Sequence, residues 1–442
     1  MSASPHQDLL IQGVTAITLG DPVVREDATI VVRDGRIEAV HDAVHDTSEA
    51  PPASEFATVI DGRGKLATPG LINAHTHLAM VLMRGYADDL PLMRWLEEEI
   101  WPLEAELTAD DVYWGSLHAC AELIRSGTTC MADMYFHMDQ VARAVDESGL
   151  RGVLAYGMIA PHGGQKAEDE IALTRDFLSA YHDTADGRVR TAVAPHAPYT
   201  CDPTVWERAV ELALDHGTLV HTHLAETRAE VESARENWGQ TPVERVADLG
   251  AFEAPVLAAH CVHLEDADVD ILAEHDAHIA HNPTSNLKLA SGFAPVQAQL
   301  DRGINVAVAT DGASSNNNLD LLEEIRLASY CQKAILEDAT ALPALEALRL
   351  GTERGARALK WDGIGTLTSG QTADIVLWDM DRPHWTPNYD PISNLVYSAQ
   401  SADVATVIVD GRVIMKDREI LTFDETEARA RVQAYQETHR RR

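Results

Sequence analysis

Two histidines two residues apart close the apolar run Pro69-Gly70-Leu71-Ile72-Asn73-Ala74-His75-Thr76-His77. Side chains at i and i+2 of a strand share a face, so His75 and His77 can converge on one ion. Taken alone, such a pair is more often two hydrogen-bonded core histidines. Here four further apolar runs end in the same kind of residue: Val193-Ala194-Pro195-His196, Leu219-Val220-His221-Thr222-His223-Leu224-Ala225-Glu226, Leu257-Ala258-Ala259-His260 and Val306-Ala307-Val308-Ala309-Thr310-Asp311-Gly312. Imidazoles with a carboxylate suit Zn2+ or Fe2+. A metal that keeps an open position lowers the pKa of its water to about 7, so hydroxide is available at neutral pH.

Each of these runs is short enough to be a buried parallel strand. Each delivers its polar residue at the C-terminal end, where parallel α/β folds place ligands and catalytic groups. Strand ends near His77, Asp133, Met158, His196, His223, His260, His281 and Asp311 alternate with helical stretches such as residues 110–125 and 319–335. Eight such units are what a (β/α)8 barrel needs. No Gly-x-Gly-x-x-Gly follows the first strand and no phosphate-cradling Walker loop occurs, which argues against an open nucleotide-binding sheet. Residues 8–66 alternate apolar and polar positions around the turn signals Asp34-Gly35 and Asp61-Gly62, and the same grammar returns around residues 373–378 and 407–414. The fold expected is therefore α/β: a TIM-like (β/α)8 barrel over residues 68–362, with a small β-sandwich domain that both chain ends form together, residues 1–67 and 363–442. Residues 42–54 read as a loop in that domain.

Composition fits a soluble enzyme. The chain has 442 residues, 45% of them hydrophobic, enough for a large core and a satellite domain. There is no apolar run of membrane-spanning length, and residues 1–8 lack a basic segment followed by an apolar one, so a cytoplasmic location is expected. The five cysteines, Cys120, Cys130, Cys201, Cys261 and Cys331, are widely spaced and read as reduced thiols. Net charge is −35, and the only lysines are Lys65, Lys166, Lys288, Lys333, Lys360 and Lys416. Dense carboxylates of this kind suit a halophilic surface, where salt screens their repulsion. They also speak against nucleic acid or an anionic membrane as partner.

With His75, His77, His223 and Asp311 on the first, fifth and eighth strands, the chain resembles the amidohydrolase superfamily. The resemblance runs from Pro69-Gly70 through His281-Asn282-Pro283-Thr284-Ser285-Asn286-Leu287-Lys288-Leu289 to Ala373-Asp374-Ile375-Val376. Within that superfamily it is most similar to the methylthioadenosine/S-adenosylhomocysteine deaminases, with chlorohydrolase-like and cytosine-deaminase-like relatives next. The resemblance implies one divalent ion per subunit, zinc with iron(II) as the alternative, held by His75, His77, His223 and Asp311. It favours His223 over His221, since the family's ligand directly precedes Leu-Ala-Glu.

In the deamination this implies, Asp311 also takes the water's proton, Glu226 protonates the ring nitrogen beside the attacked carbon, and His260 orients the hydroxide. The plainer reading makes Asp311 a helix N-cap before Gly312, Glu226 a carboxylate at a helix N-terminus, and His263 structural. The same resemblance gives Glu104 to the ribose hydroxyls, His196 to the purine ring and Arg188 to a homocysteine carboxylate, with Glu226 and Asp311 completing the substrate set. One departure stands out: Gly163-Gly164-Gln165-Lys166 where a second arginine is expected. Lys166 offers a point charge rather than a bidentate clamp, which weighs against S-adenosylhomocysteine relative to methylthioadenosine or 5′-deoxyadenosine.

Residues 193–196 contain no lysine for a carbamate bridge, so one metal rather than two is expected, and the Pro-Cys-x-x-Cys signature of nucleic-acid base deaminases is absent. The expectation is thus a metal-dependent aminohydrolase acting at C6 of 5′-modified adenosines, a small-molecule nucleoside enzyme that forms homo-oligomers. The rival is a hydrolase of another heteroaromatic substrate, such as a chloro- or amino-triazine, guanine or cytosine.

Overall fold

The computed structural model describes residues 8–42, 44 and 50–439. Residues 1–7 and, within the expected 42–54 loop, residues 43 and 45–49 lie outside the described residues. Aliphatic runs form the strands, and they sort into two sheets. The first five are β1 (Leu9–Ile17), β2 (Val24–Arg33), β3 (Arg36–His41), β4 (Thr58–Asp61) and β5 (Lys65–Pro69). The next eight are β6 (Leu71–Thr76), β7 (Thr128–Tyr135), β8 (Arg151–Met158), β9 (Val189–Pro195), β10 (Val220–Leu224), β11 (Val256–His260), β12 (His278–His281) and β13 (Asn305–Val308). The last four are β14 (Ile375–Asp379), β15 (Val404–Val409), β16 (Arg412–Lys416) and β17 (Glu419–Ile420).

Both chain ends build one nine-stranded mixed sheet in the order β17-β16-β15-β14-β5-β1-β2-β3, with β4 on β1. The junction is β14 running antiparallel to β5, from Ile375 opposite Pro69 to Asp379 opposite Lys65. Period-two alternation puts Leu9, Ile11, Ile30, Val32, Ile375 and Leu377 into one buried cluster that the sheet folds around. Two hairpins use the turn chemistry legible in the sequence: Asp34 (φ 47°) with Gly35 (φ 75°), and Asp410 (φ 53°) with Gly411 (φ 70°), consecutive left-handed residues whose twist matches the flanking strands.

The eight strands β6 to β13 follow one another in spatial order, parallel throughout. The barrel closes between β13 and β6. There Asn73 Nδ2 donates to Thr310 Oγ1 (2.7 Å), Thr310 N to Asn73 Oδ1 (3.0 Å), and Asp311 N to His75 O (3.0 Å). The chain passes from one sheet to the other at Gly70, so the expected boundary between residues 67 and 68 falls inside β5. Only glycine fits at this crossing: a Cβ on Gly70 would lie 2.0 Å from Thr129 Oγ1.

The predicted helices form with small shifts. The first spans Ala109–Arg125, and Thr108 and Asp111 cap each other reciprocally, which satisfies amides a helix start leaves unpaired. The second spans Leu321–Leu336 and is capped by Asp320. Unforeseen is the long passage after β6: a 3-10 turn (Leu78–Met83), then Leu92–Trp95, a π turn (Leu96–Ile100) and Trp101–Glu104 in succession. It carries the chain over the barrel mouth, where Leu92, Trp95, Leu96, Trp101 and Glu104 line the pocket, and the wide π turn re-aims the residues that follow it. At the opposite end Arg151, starting β8, reaches the terminal sheet, donating to Asp374 Oδ2 (2.8 Å) and Asp410 Oδ1 (2.9 Å). Among the described residues no helix is long and apolar enough to cross a membrane.

Candidate active site

The strand ends converge as parallel-barrel geometry requires. His75 lies on β6 and His77 just beyond it, His223 on β10, His260 at the tip of β11, and Asp311 just past β13. His77 Nε2 is 3.3 Å and His75 Nε2 3.5 Å from Asp311 Oδ1, and His223 Nε2 is 3.4 Å from His77 Nε2. Donors held about 2.1 Å from one ion at tetrahedral angles stand about 3.4 Å apart. The spacing therefore fits a metal.

Each of the three imidazoles has its other nitrogen occupied. His77 Nδ1 donates to Met134 O (2.5 Å) and His223 Nδ1 to His196 O (2.8 Å), while His75 Nδ1 meets His221 Nε2 (2.8 Å). These contacts leave the Nε2 lone pairs facing inward. His75 Nε2 is buried with no hydrogen-bond partner, an orphan that a bound ion would satisfy. Burial pushes His75 down to about 4 and His223 well below the ordinary imidazole range, so both are neutral and fit to ligate. Burial also works against charge on Asp311, yet His75 and His77 outweigh it and hold that carboxylate ionised.

Three residues of the site carry left-handed backbone without being glycine: Ala225 (φ 51°), His260 (φ 73°) and Asp311 (φ 62°). Such conformations cost of order 1–2 kcal/mol each and turn the chain sharply out of its strand. Gly312 must be small, because a Cβ there would stand 2.6 Å from Met80 Sδ and 3.2 Å from His77 Cβ. The helix after β13 starts at Leu321, so Asp311 is not its cap.

The site pocket also takes in Glu104, His196, Glu226 and His260, with Trp95, Trp101 and Leu96 of the overlying passage. Burial raises Glu226, keeping its proton to higher pH, and raises Glu104 to about 7 against the opposing effect of the Tyr135 hydroxyl. Glu226 Oε2 lies 3.8 Å from His260 Nε2, which is 4.0 Å from Asp311 Oδ2. Glu226 stands outside the helix that follows it, which begins at Arg228 with Thr227 as cap.

Arg188 is elsewhere, and its assignment to a substrate carboxylate is corrected. It directly precedes β9, at the N-terminal end of the strands and so opposite the mouth. There it donates to Leu150 O (3.0 Å) and Asp146 Oδ1 (2.6 Å). Carbonyls at the end of the helix Met138–Ser148 draw a guanidinium to that spot.

Several positioning contacts were not anticipated. Ser285 Oγ (2.6 Å) and Ser315 Oγ (3.1 Å) both donate to Asp311 Oδ2, and His260 Nδ1 donates to Asn286 Oδ1 (2.9 Å). Asp133 Oδ1 accepts from Leu78 N (2.6 Å) and so anchors the turn after His77. Ser291 Oγ reaches Glu226 Oε1 (3.4 Å) while His263 Nε2 donates to Ser291 O (2.6 Å), which gives His263 a supporting place. The polar run His281-Asn282-Pro283-Thr284-Ser285-Asn286 after a strand was the available signal for two of these residues.

Comparison with known proteins agrees with this geometry. Residues 66–414 match the model of the amidohydrolase family. A 5-methylthioadenosine/S-adenosylhomocysteine deaminase of Caldanaerobacter subterraneus subsp. tengcongensis is 49% identical over 418 residues, 94% of this chain and 95% of that protein. A zinc-bound adenosine deaminase of Xanthomonas campestris superposes with a TM-score of 0.91 at 35% identity, covering 98% of both chains. The atrazine chlorohydrolase of Arthrobacter aurescens TC1, in complex with zinc, gives 0.89 at 26% identity, covering 97% of this chain and 99% of that one.

The position of Arg188 has a direct check. Arg188→Met is expected to lower the thermal midpoint and leave KM unchanged. A KM raised about tenfold with stability intact, the mark of lost substrate binding, would return Arg188 to the site.

Proposed function

This chain belongs to the amidohydrolase family, and from that premise we propose that it is a zinc-dependent aminohydrolase that converts the 6-amino group of 5′-modified adenosines to a 6-oxo group, releasing ammonia. The observation that carries the reading is the grouping of His75, His77 and His223 beside a buried Glu226, whose carboxyl burial shifts toward the protonated form. A C–N bond in an aromatic amidine breaks only if its ring nitrogen is protonated as the nucleophile adds, and Glu226 can supply that proton.

His75, His77, His223 and Asp311 would hold the ion, with iron(II) as the alternative. When bound, such an ion makes hydroxide available near neutral pH. Asp311, ionised and fixed by two serine hydroxyls, accepts the attacking water's proton. Glu226 donates to N1. His260, its far nitrogen tied to Asn286, turns Nε2 toward the attacking oxygen and steadies the charge that builds there. Ammonia then leaves with the proton Asp311 collected, and the hydroxyl proton left on C6 is released as the carbonyl forms, restoring Glu226. Glu104 accepts from the ribose hydroxyls and His196 borders the purine. The curated deaminase relatives support the adenosine reading over a triazine or a free base.

The same site suggests which 5′ substituents it prefers. Beyond Glu104 lies a second cavity of about 390 Å3 that shares Trp101, Glu104, Phe136 and Ile159 with the site pocket. Leu107, Val112 and Tyr156 make it largely apolar, and its charged groups are Glu104, Glu170 and Lys166. Lys166 is already ion-paired with the buried Glu170. With two carboxylates and a committed lysine, the chamber favours a small neutral substituent over a tail ending in a carboxylate. Methylthioadenosine and 5′-deoxyadenosine are then the preferred substrates, with S-adenosylhomocysteine poorer.

We also read the net charge of −35 as adaptation to concentrated salt, and the nucleoside as a small-molecule partner without nucleic acid or membrane. The thermal midpoint should rise from about 0.1 M to about 2 M KCl as repulsion is screened; a midpoint that stays level or falls would contradict this.

Ammonia release from zinc-loaded protein tests the reaction, with methylthioadenosine, 5′-deoxyadenosine, S-adenosylhomocysteine, guanine, cytosine and a chlorotriazine as substrates. Turnover of the adenosines is expected, and turnover of only a base or the triazine would overturn the assignment. Glu226→Gln should retain zinc and lose roughly 100-fold or more in kcat, the usual worth of a general acid; wild-type turnover in that variant would remove its proton-donor role. Glu170→Gln should raise kcat/KM for S-adenosylhomocysteine relative to methylthioadenosine by roughly fivefold, about 1 kcal/mol between charges that water still reaches. An unchanged ratio would show that the chamber does not select by charge.

A further inference from the structure

The strand β10 carries two histidines, and the site uses only one of them. His221 and His223 are separated by two positions and so share a strand face. In a parallel barrel that face points inward and fills the interior in layers. His223 occupies the layer at the mouth, and His221 the one beneath it, fully buried. His221 belongs to neither group of side chains whose donor atoms lie close enough together to share an ion.

What it touches instead is a ligand's far side. His221 Nε2 lies 2.8 Å from His75 Nδ1, with the two rings at 85° and their centroids 4.9 Å apart. The edge of one ring thus meets the edge nitrogen of the other. His77 and His223 give their second nitrogens to the backbone carbonyls of Met134 and His196, acceptors that any residue at those positions would supply. His75 alone among the three is held by a side chain. Its orientation is therefore encoded by one replaceable residue.

We propose that His221 is the positioning residue for the ligand His75, accepting the proton on His75 Nδ1 so that His75 Nε2 presents its lone pair to the metal. This rests on the metal-site reading given above but not on the identity of the substrate. A hydrogen bond there does two things. It confines the proton to Nδ1, which leaves Nε2 free to ligate, and it stops rotation of the ring about its Cβ–Cγ bond. Without it nothing holds the proton on Nδ1 against the ionised Asp311, 3.5 Å from Nε2, and part of the metal-binding free energy goes into moving it. Losing such an outer partner typically lowers metal affinity by about 10- to 100-fold. The alternative is that His221 only fills space in the barrel.

Shape and hydrogen bonding can be separated by substitution. His221→Leu keeps the volume and removes the acceptor, whereas His221→Gln places an amide oxygen near the position of Nε2. Zinc affinity is measured on apoprotein by competition with a chromophoric chelator, and the visible spectrum of the cobalt(II)-substituted protein reports ligand geometry. Far-UV circular dichroism checks the fold. The expected result is that the Leu variant binds zinc about 10- to 100-fold more weakly with an altered cobalt spectrum, while the Gln variant stays close to wild type. Wild-type affinity in the Leu variant, or equal losses in Leu and Gln, would reduce His221 to packing. Should the Leu variant fail to fold, His221→Thr, which leaves room instead of crowding, is read in the same two ways. Because these measurements need no substrate, they stand or fall separately from the ammonia assay.

Discussion

Three imidazoles and one carboxylate must point the right atoms at one place, and most of the barrel's upper half is arranged around that requirement. An imidazole has two nitrogens, and the one aimed inward is settled by what holds the other. Met134 O, His196 O and His221 Nε2 make that choice for His77, His223 and His75. The carboxylate is fixed in the same manner, with Ser285 and Ser315 on one oxygen while the other faces His75 and His77. The barrel closure serves the same end, since the Asn73–Thr310 contacts set β13 beside β6 and so bring Asp311 level with the histidine pair.

Burial then sorts the groups by charge. In a site this enclosed, desolvation drives imidazoles toward the neutral form and carboxylates toward the acid form. His75 and His223 follow that rule and stay neutral, the form in which an imidazole can ligate. Glu226 follows it and shifts toward the protonated form that the proposed proton donation needs. Asp311 escapes it because two histidines face the same oxygen, and it stays ionised. In the proposed reaction the two carboxylates that flank His260 would thereby hold opposite roles, which is the arrangement that moving a proton from water to a ring nitrogen demands.

Much of this could be read from the chain. The candidate ligand histidines stand out because each ends an apolar run, whereas period two puts His221 and His223 on one face and only the Leu-Ala-Glu that follows favours His223. Hairpin turns were legible at Asp34-Gly35 and Asp410-Gly411 because left-handed backbone needs those residue types. Arg188 shows where such reading stops: Asp-Gly-Arg before a strand looks the same whether the arginine bends to the mouth or to the floor, and only the helix end beside it decides. Ser285, Asn286 and Asp133 were opaque for a related reason. Their partners lie on other strands, and nothing in local spacing records a contact made across the barrel.

The central claim is that one ion sits among His75, His77, His223 and Asp311. X-ray absorption at the zinc edge of protein loaded with one equivalent tests it most directly. The expected result is a first shell of about three imidazole nitrogens near 2.0–2.1 Å completed by oxygen, with no metal neighbour within about 4 Å. A shell with fewer than two imidazoles, or a second metal scattering at about 3.5 Å, would contradict the site on which the proposed chemistry depends.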